Sequence, residues 1–172
     1  MTSIELLTSE YFGQVAGWLS DPAINRWLTS EWRGRAVDGA VLAMATRNRR
    51  NRLYLVRDEA SACGLVGLSD LDLIDRCAMI WYVRGEQHLG GKGAISSAVN
   101  QLCRLAFADL GLASIYAWIM QPNQASRRVL MRNGFREAGM LRDAAVLDGE
   151  QVGRIYFDLS PGDLTPGLPA GA

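Results

Sequence analysis

The sequence predicts a single α/β domain with a mixed central sheet, an antiparallel meander plus a parallel crossover, flanked by helices. Three observations carry this. Strand-like runs at 53–56, 63–68 and 78–83 follow one another over short connections, as in an antiparallel meander. A long amphipathic helix at 92–110 then leads to a further strand at 114–119, so the helix crosses over between two parallel strands. With 172 residues and 49% hydrophobic content, the chain can bury one substantial core.

The elements follow in order. Residues 4–7 form a short apolar run suited to an edge strand, and 10–19 carry Val15, Trp18 and Leu19 at helical spacing. Ser20, Asp21 and Pro22 combine capping residues with a proline at the first turn, which predicts a short helix over 23–28. A third helix, over 37–47, places Val37, Ala40, Val41 and Met44 on one face. Trp27, Trp32 and Tyr54 cluster around this region, either as core or as the lining of a pocket.

Polar turns at Asp58-Glu59 and Ile74-Asp75-Arg76 separate the three meander strands. Ile95, Ala98, Val99, Leu102, Leu105, Ala106 and Leu110 then make the apolar stripe of the long helix, which Gly111 ends. A helix over 124–133 stops at Asn133-Gly134. Asp148-Gly149 turns between runs at 136–146 and 151–159, predicting a hairpin. The organisation is one domain over 1–159 and, from its prolines and glycines, a flexible tail over 160–172.

Charge and composition remove several functions. Eighteen Lys and Arg balance eighteen Asp and Glu, and no basic arm suits nucleic acid. The one basic cluster, Arg47, Arg49, Arg50 and Arg52, reads as a solvated helix end or as a site for an anionic partner. Cys63, Cys77 and Cys103 are odd in number and lack CxxC spacing, and His88 is the sole histidine, so no disulfide framework or zinc site is expected. The start of the chain lacks the basic and apolar regions of a signal peptide, and no apolar run reaches the roughly 20 residues of a membrane span. The expectation is a cytoplasmic protein with reduced cysteines.

The chemistry points to Gly90-Gly91-Lys92-Gly93, a glycine loop between a strand and a long helix. Backbone N–H groups of a first helical turn converge on such a loop, the helix dipole favours an anion there, and Lys92 adds a point charge. A Walker A loop fails, because Glu86 stands where it needs Gly and Gly93 where it needs Ser or Thr. The dinucleotide fingerprint fails at its third position, Ser96.

Segment 64–142 resembles the GNAT superfamily, in particular the branch of ribosomal-protein N-terminal, amino-sugar and antibiotic acetyltransferases. The resemblance rests on Gly91-Lys92-Gly93 opening the helix, Leu105-Ala106-Phe107 and Leu110-Gly111-Leu112 closing it, then Asn123-Gln124-Ala125-Ser126, Asn133-Gly134-Phe135-Arg136, Gly139 and Leu141-Arg142. It implies a sheet splayed between strands 4 and 5, with acetyl-coenzyme A (or another acyl-coenzyme A) as cosubstrate. His88, Leu89, Gly90, Gly91, Lys92, Gly93 and Ala94 would then cradle its pyrophosphate. Tyr82 and Val83 would hold the pantetheine arm, and Asn123 and Ser126 would contact it.

The chain departs from the family pattern in the loop, where Gly90 and Ile95 stand at positions usually taken by Gln or Arg and by Gly or Ala. Leu130 replaces the Tyr that protonates the thiolate in many relatives, and Met79 replaces a Glu. Ser126 becomes the candidate acid, beside its alternative of a local backbone bond. An amine with a pKa of about 10.4 is free base in roughly one molecule per thousand at pH 7, so a base is useful. Asp70 and Asp72 are candidates, because alternation puts them on one face at the end of a strand, although a plain turn role suits them equally. Glu31, beside Trp27 and Trp32, and His88 are others.

The resemblance implies an N-acetyltransferase acting on a primary amine of a small molecule, amino sugar or protein N-terminus by direct attack in a ternary complex. It also admits a homodimer. The alternatives are a domain of this fold that binds acyl-coenzyme A without transfer, as a sensor or partner-binding module, and a nucleotide-dependent enzyme built on the glycine loop.

Overall fold

The computed structural model describes residues 1–59, 61–86, 88, 91 and 93–167. Thr2–Leu6 (β1), Arg52–Asp58 (β2), Ser61–Asp72 (β3) and Cys77–Arg84 (β4) form an antiparallel meander. Ser114–Met120 (β5), Arg136–Leu147 (β6) and Glu150–Leu159 (β7) complete one seven-stranded sheet, ordered β1-β2-β3-β4-β5-β7-β6. The helices are Phe12–Ser20 (α1), Pro22–Asn25 (α2), Gly39–Arg47 (α3), Ala94–Ala108 (α4) and Gln124–Arg132 (α5). This is the α/β domain with a mixed sheet that the sequence predicts.

Strand alternation builds two cores, one on each face of the sheet. Val66, Leu68, Ala78 and Ile80 pack against Ala98, Val99, Leu102 and Ala106 of α4. Leu55, Leu65 and Val83 point the other way, against Val15, Leu19, Ile24 and Leu42 of α1–α3. Both helix layers are therefore fixed by apolar burial.

Boundaries moved where local chemistry overrides periodicity. Asp21 and Asp38 cap α2 and α3 by accepting from the Ala23 and Val41 amides at 2.9 Å, so α3 starts two residues after Val37. Gly93 has φ +99, a left-handed conformation that keeps it outside the helix, and α4 begins at Ala94. The α2 helix ends at Asn25 and continues as turns.

The first part of the expected flexible tail is docked. Pro161–Asp163 form a 3-10 turn, the Thr165 amide donates to the Asn133 carbonyl at 3.2 Å, and Asn100 Nδ2 donates to the Thr165 carbonyl at 3.0 Å. Arg136 pairs with Asp163. At Gly134, φ is +92 and a Cβ would lie 2.0 Å from the Asp163 carbonyl oxygen, so Asn133-Gly134 ends α5 and seats this segment at once.

The feature that positions the site is the β4–β5 pairing. These parallel strands are bridged only at Cys77 and Ser114, Ala78 and Ile115, and Met79 and Tyr116. Beyond that apex, β4 stays with β3 as far as Arg84 opposite Gly64, and β5 stays with β7 as far as Met120 opposite Arg154. The sheet thus splits into a V.

Candidate functional site

A cavity of about 380 Å³ occupies the mouth of this V. Tyr82, Val83 and Arg84 of β4 line one side, with Gly91 and residues 93–96 at the start of α4. Asn123, Ala125, Ser126, Val129 and Arg132 line the other, and Ala23, Ile24, Trp27 and Leu28 the rim. A smaller cavity of about 60 Å³ continues into the split between Ile80 and Ala117, sharing Trp27, Leu28, Tyr82, Asn123 and Ser126 with the first.

The ends of two helices face the larger cavity, and their dipoles place partial positive charge there. Arg84 and Arg132 add guanidinium groups, and no carboxylate of the described residues lines either cavity. Sequence reasoning missed Arg84 and Arg132. Arg132 was findable, since Ser126, Val129 and Arg132 recur at helical spacing on one face of α5.

The first turn of α5 is held by side chains. Asn123 Oδ1 accepts from the Ser126 amide at 3.1 Å, capping the helix and leaving Nδ2 without a partner among the described residues. The Tyr82 hydroxyl donates to the Ser126 carbonyl at 3.0 Å. Burial holds the Tyr82 phenol well above the ordinary tyrosine range, so it keeps its proton. The Ser126 hydroxyl makes no hydrogen bond to the described residues, and Leu130, where relatives carry Tyr, is fully buried.

Deeper in the molecule, buried Asn133 ties α5 to α4. Its amide nitrogen is shared among the Val129 carbonyl at 2.9 Å and the Ser96 carbonyl and hydroxyl at 3.1 Å, and its oxygen accepts from Asn100 Nδ2 at 3.1 Å.

Of the expected cofactor contacts, Tyr82, Val83, Gly91, Gly93, Ala94, Asn123 and Ser126 line the cavity. His88 is exposed, 4.0 Å from Glu86, and does not. Leu89, Gly90 and Lys92 lie outside the described residues. The Gly91 amide donates to Asp58 Oδ2 at 2.8 Å. That bond, with one from the Thr2 hydroxyl, holds the Asp58 carboxyl below its usual range.

The expected bases lie apart from the cavities. Asp72 Oδ1 accepts from the Ile74 and Asp75 amides at 2.8 and 2.9 Å, an Asx turn that lowers its pKa. Asp70 has φ +52, and the β3–β4 register shifts between Ser69 and Asp72. Asp70 stands beside the apex of the V, with Oδ2 3.5 Å from the Tyr116 hydroxyl and Oδ1 3.8 Å from Arg50. Glu31 is exposed and lines neither cavity. The described residues contain no group of His, Cys, Asp and Glu able to hold a metal ion, and no helix long and apolar enough to cross a membrane.

Comparison with known proteins agrees with this architecture. The family profile described as the acetyltransferase (GNAT) domain matches residues 3–136. YdaF of Bacillus subtilis (strain 168), provisionally named a ribosomal N-acetyltransferase, is 34% identical over 101 residues, or 59% of this chain. That match spans 55% of YdaF, about half the length of the relative. Among solved structures, a protein described as a probable acetyltransferase superposes with TM-score 0.79 at 25% identity, covering 94% of this chain and 93% of that one. The Vibrio cholerae spermidine N-acetyltransferase in complex with CoA and spermine gives TM-score 0.83 at 18% identity over 94% of this chain and 96% of its own, a likeness of fold.

Proposed function

The chain belongs to the GNAT acetyltransferase family, and we propose that it transfers an acyl group, acetyl in the simplest case, from coenzyme A to a primary amine by direct attack. The observation that carries this reading is the split between β4 and β5, with a cavity of about 380 Å³ walled by β4, the start of α4 and α5. A split sheet offers N–H and C=O groups along Ile80 to Arg84 to an amide-bearing arm, much as a missing strand would.

In this reading the α4 start, Gly91, Gly93 and Ala94, with Arg84 and Arg132, receives the cofactor's phosphates. Val83 and Asn123 Nδ2 hold the arm and set the thioester at the apex, where the amine must be positioned. One carbon–nitrogen bond forms as the carbon–sulfur bond breaks, the amine loses a proton, and the sulfur gains one. The Ser126 hydroxyl donates to the sulfur as negative charge develops there, and Tyr82 positions Ser126. Asp70, through the Tyr116 hydroxyl, takes the amine proton; Asp72 is committed to its turn, and Glu31 and His88 stand off the cavities.

Release of free thiol from acetyl-coenzyme A, followed with a chromogenic disulfide across a panel of amines, tests this. Acceptor-dependent release with a matching mass increase in the amine is the expected result. Tight binding of acetyl-coenzyme A without turnover of any amine would favour the sensor reading instead.

A further inference from the structure

The split opens onto the face of the sheet that carries α1–α3, and the side chains there have a definite polarity. The 60 Å³ cavity is walled by Trp27, Trp32, Trp81 and Trp118, with Trp32 and Trp81 in ring contact at 5.4 Å between centroids. Thr29 also lines it, and its hydroxyl oxygen is buried without a partner among the described residues. Tryptophans dominate this throat, with Thr29, Asn123 and Ser126 as its polar members.

Charge on the same face is sorted along β5 and β7. Near the apex, Tyr116 lies opposite Asp158 and within reach of Asp70. At the far end, Met120 lies opposite Arg154, whose guanidinium stacks on Trp118 at 4.2 Å. Arg154 is four residues from Asp158, about 13 Å along an extended strand. The Arg154 Nε is buried without a hydrogen-bond partner, and the described residues give this side chain no carboxylate. Two further guanidiniums stand at that end: Arg26 over Trp27 at 4.9 Å, paired with Asp148, and Arg33 donating to the Val146 carbonyl.

We infer that the acceptor is a small zwitterion, an amine bearing an apolar or aromatic body and a carboxylate, whose body lies on Trp118 and whose carboxylate meets Arg154. The inference rests on the transferase reading and deepens it. An amine end directed to the apex meets Asp70, the tryptophans cover the body, and Arg154, which has no carboxylate partner among the described residues, receives the anion through its terminal nitrogens. A linear polycation extended along this face would instead run into Arg154, Arg26 and Arg33, and would leave the Arg154 guanidinium without an anion.

The test measures kcat/KM at saturating acetyl-coenzyme A for 4-(2-aminoethyl)benzoate and 6-aminohexanoate, amino acids whose amine and carboxylate stand at opposite ends of the body, for their decarboxylated counterparts phenethylamine and pentylamine, and for spermidine. The amino acids are expected to exceed both the matched amines and spermidine by about tenfold or more, the worth of a charge-assisted pair. Arg154→Gln should collapse the ratio of amino acid to matched amine, acting on KM, while Arg154→Lys should retain part of it. Spermidine turned over as well as the amino acids, or a ratio untouched by R154Q in a variant with wild-type Tm, would overturn the inference. So would binding of acetyl-coenzyme A without turnover of either amino acid. Failure of acetyl-coenzyme A to raise the Tm strikes the transferase reading itself, so the two are told apart.

Discussion

The Tyr82 hydroxyl, on β4, donates to the main-chain carbonyl of Ser126, on α5, at 3.0 Å, so the two walls of the split are tied together at the level where the thioester would sit. Tyr82→Phe removes the tie but leaves the Ser126 hydroxyl. Tyr82 acts by position, so this variant should raise the KM for acetyl-coenzyme A several-fold with a smaller change in kcat. Ser126→Ala should do the opposite, lowering kcat by about tenfold or more with KM nearly unchanged. Steady-state kinetics of the two variants checks the split; equal turnover in S126A and wild type would remove Ser126 from the chemistry.

Asn133 is the buried joint between α4 and α5. Asn133→Ala leaves Asn100 and Ser96 with buried polar groups unsatisfied and should cost about 3 kcal/mol in urea unfolding. The acetyl-coenzyme A site should weaken with it, because α5 carries Asn123 and Ser126. A loss under about 0.5 kcal/mol would show that water replaces the network at little cost.

Gly64 lies on β3 opposite Arg84, and a Cβ there would stand 2.5 Å from the Val83 carbonyl oxygen and 2.7 Å from Ile95 Cδ1. Gly64→Ala must push β4 or the first turn of α4, so about 1–3 kcal/mol of stability and much of the cofactor affinity should be lost together. Thermal melts with and without acetyl-coenzyme A measure both.

Alkaline pH should unfold the protein through Cys103. Burial pushes this thiol up to about 12, and it raises the Tyr82 phenol as well. The folded pKa lies above the unfolded one, so this stabilisation is whole below about pH 9 and is lost as pH rises from there toward 12. The slope is at most about 1.4 kcal/mol per pH unit for each group. Urea unfolding of wild type and Cys103→Ala from pH 8 to 10.5 should give a shallower decline in the variant. Identical slopes would mean that the thiol ionises in the folded protein as it does in the unfolded chain.

Strands and the crossover were legible because Leu, Val and Ile recur at the right periods and the connections are short. The resemblance carried by Gly91-Lys92-Gly93, Asn123 and Asn133-Gly134 pointed to the end of the sheet where the cavity of about 380 Å³ lies, lined by Gly91, Gly93 and Asn123. Three things were not legible, each for a physical reason. The register shift between Ser69 and Asp72 depends on pairing with β4, so no local pattern announces it. Docking of 160–167 depends on Asn100 and Asn133, which lie far away in sequence, while local composition shows only prolines and glycines. The stacking of Arg154 on Trp118 joins neighbouring strands whose register no local pattern encodes.

The central claim is that the V between β4 and β5 binds an acyl-coenzyme A, and the melting temperature tests it most directly. At 100 times its dissociation constant, acetyl-coenzyme A should add about 2.7 kcal/mol, roughly 5–10 °C for a domain of this size. Free coenzyme A should act similarly, and ATP and NAD should do far less. No shift with either coenzyme A compound, or an equal shift with ATP or NAD, would contradict the account.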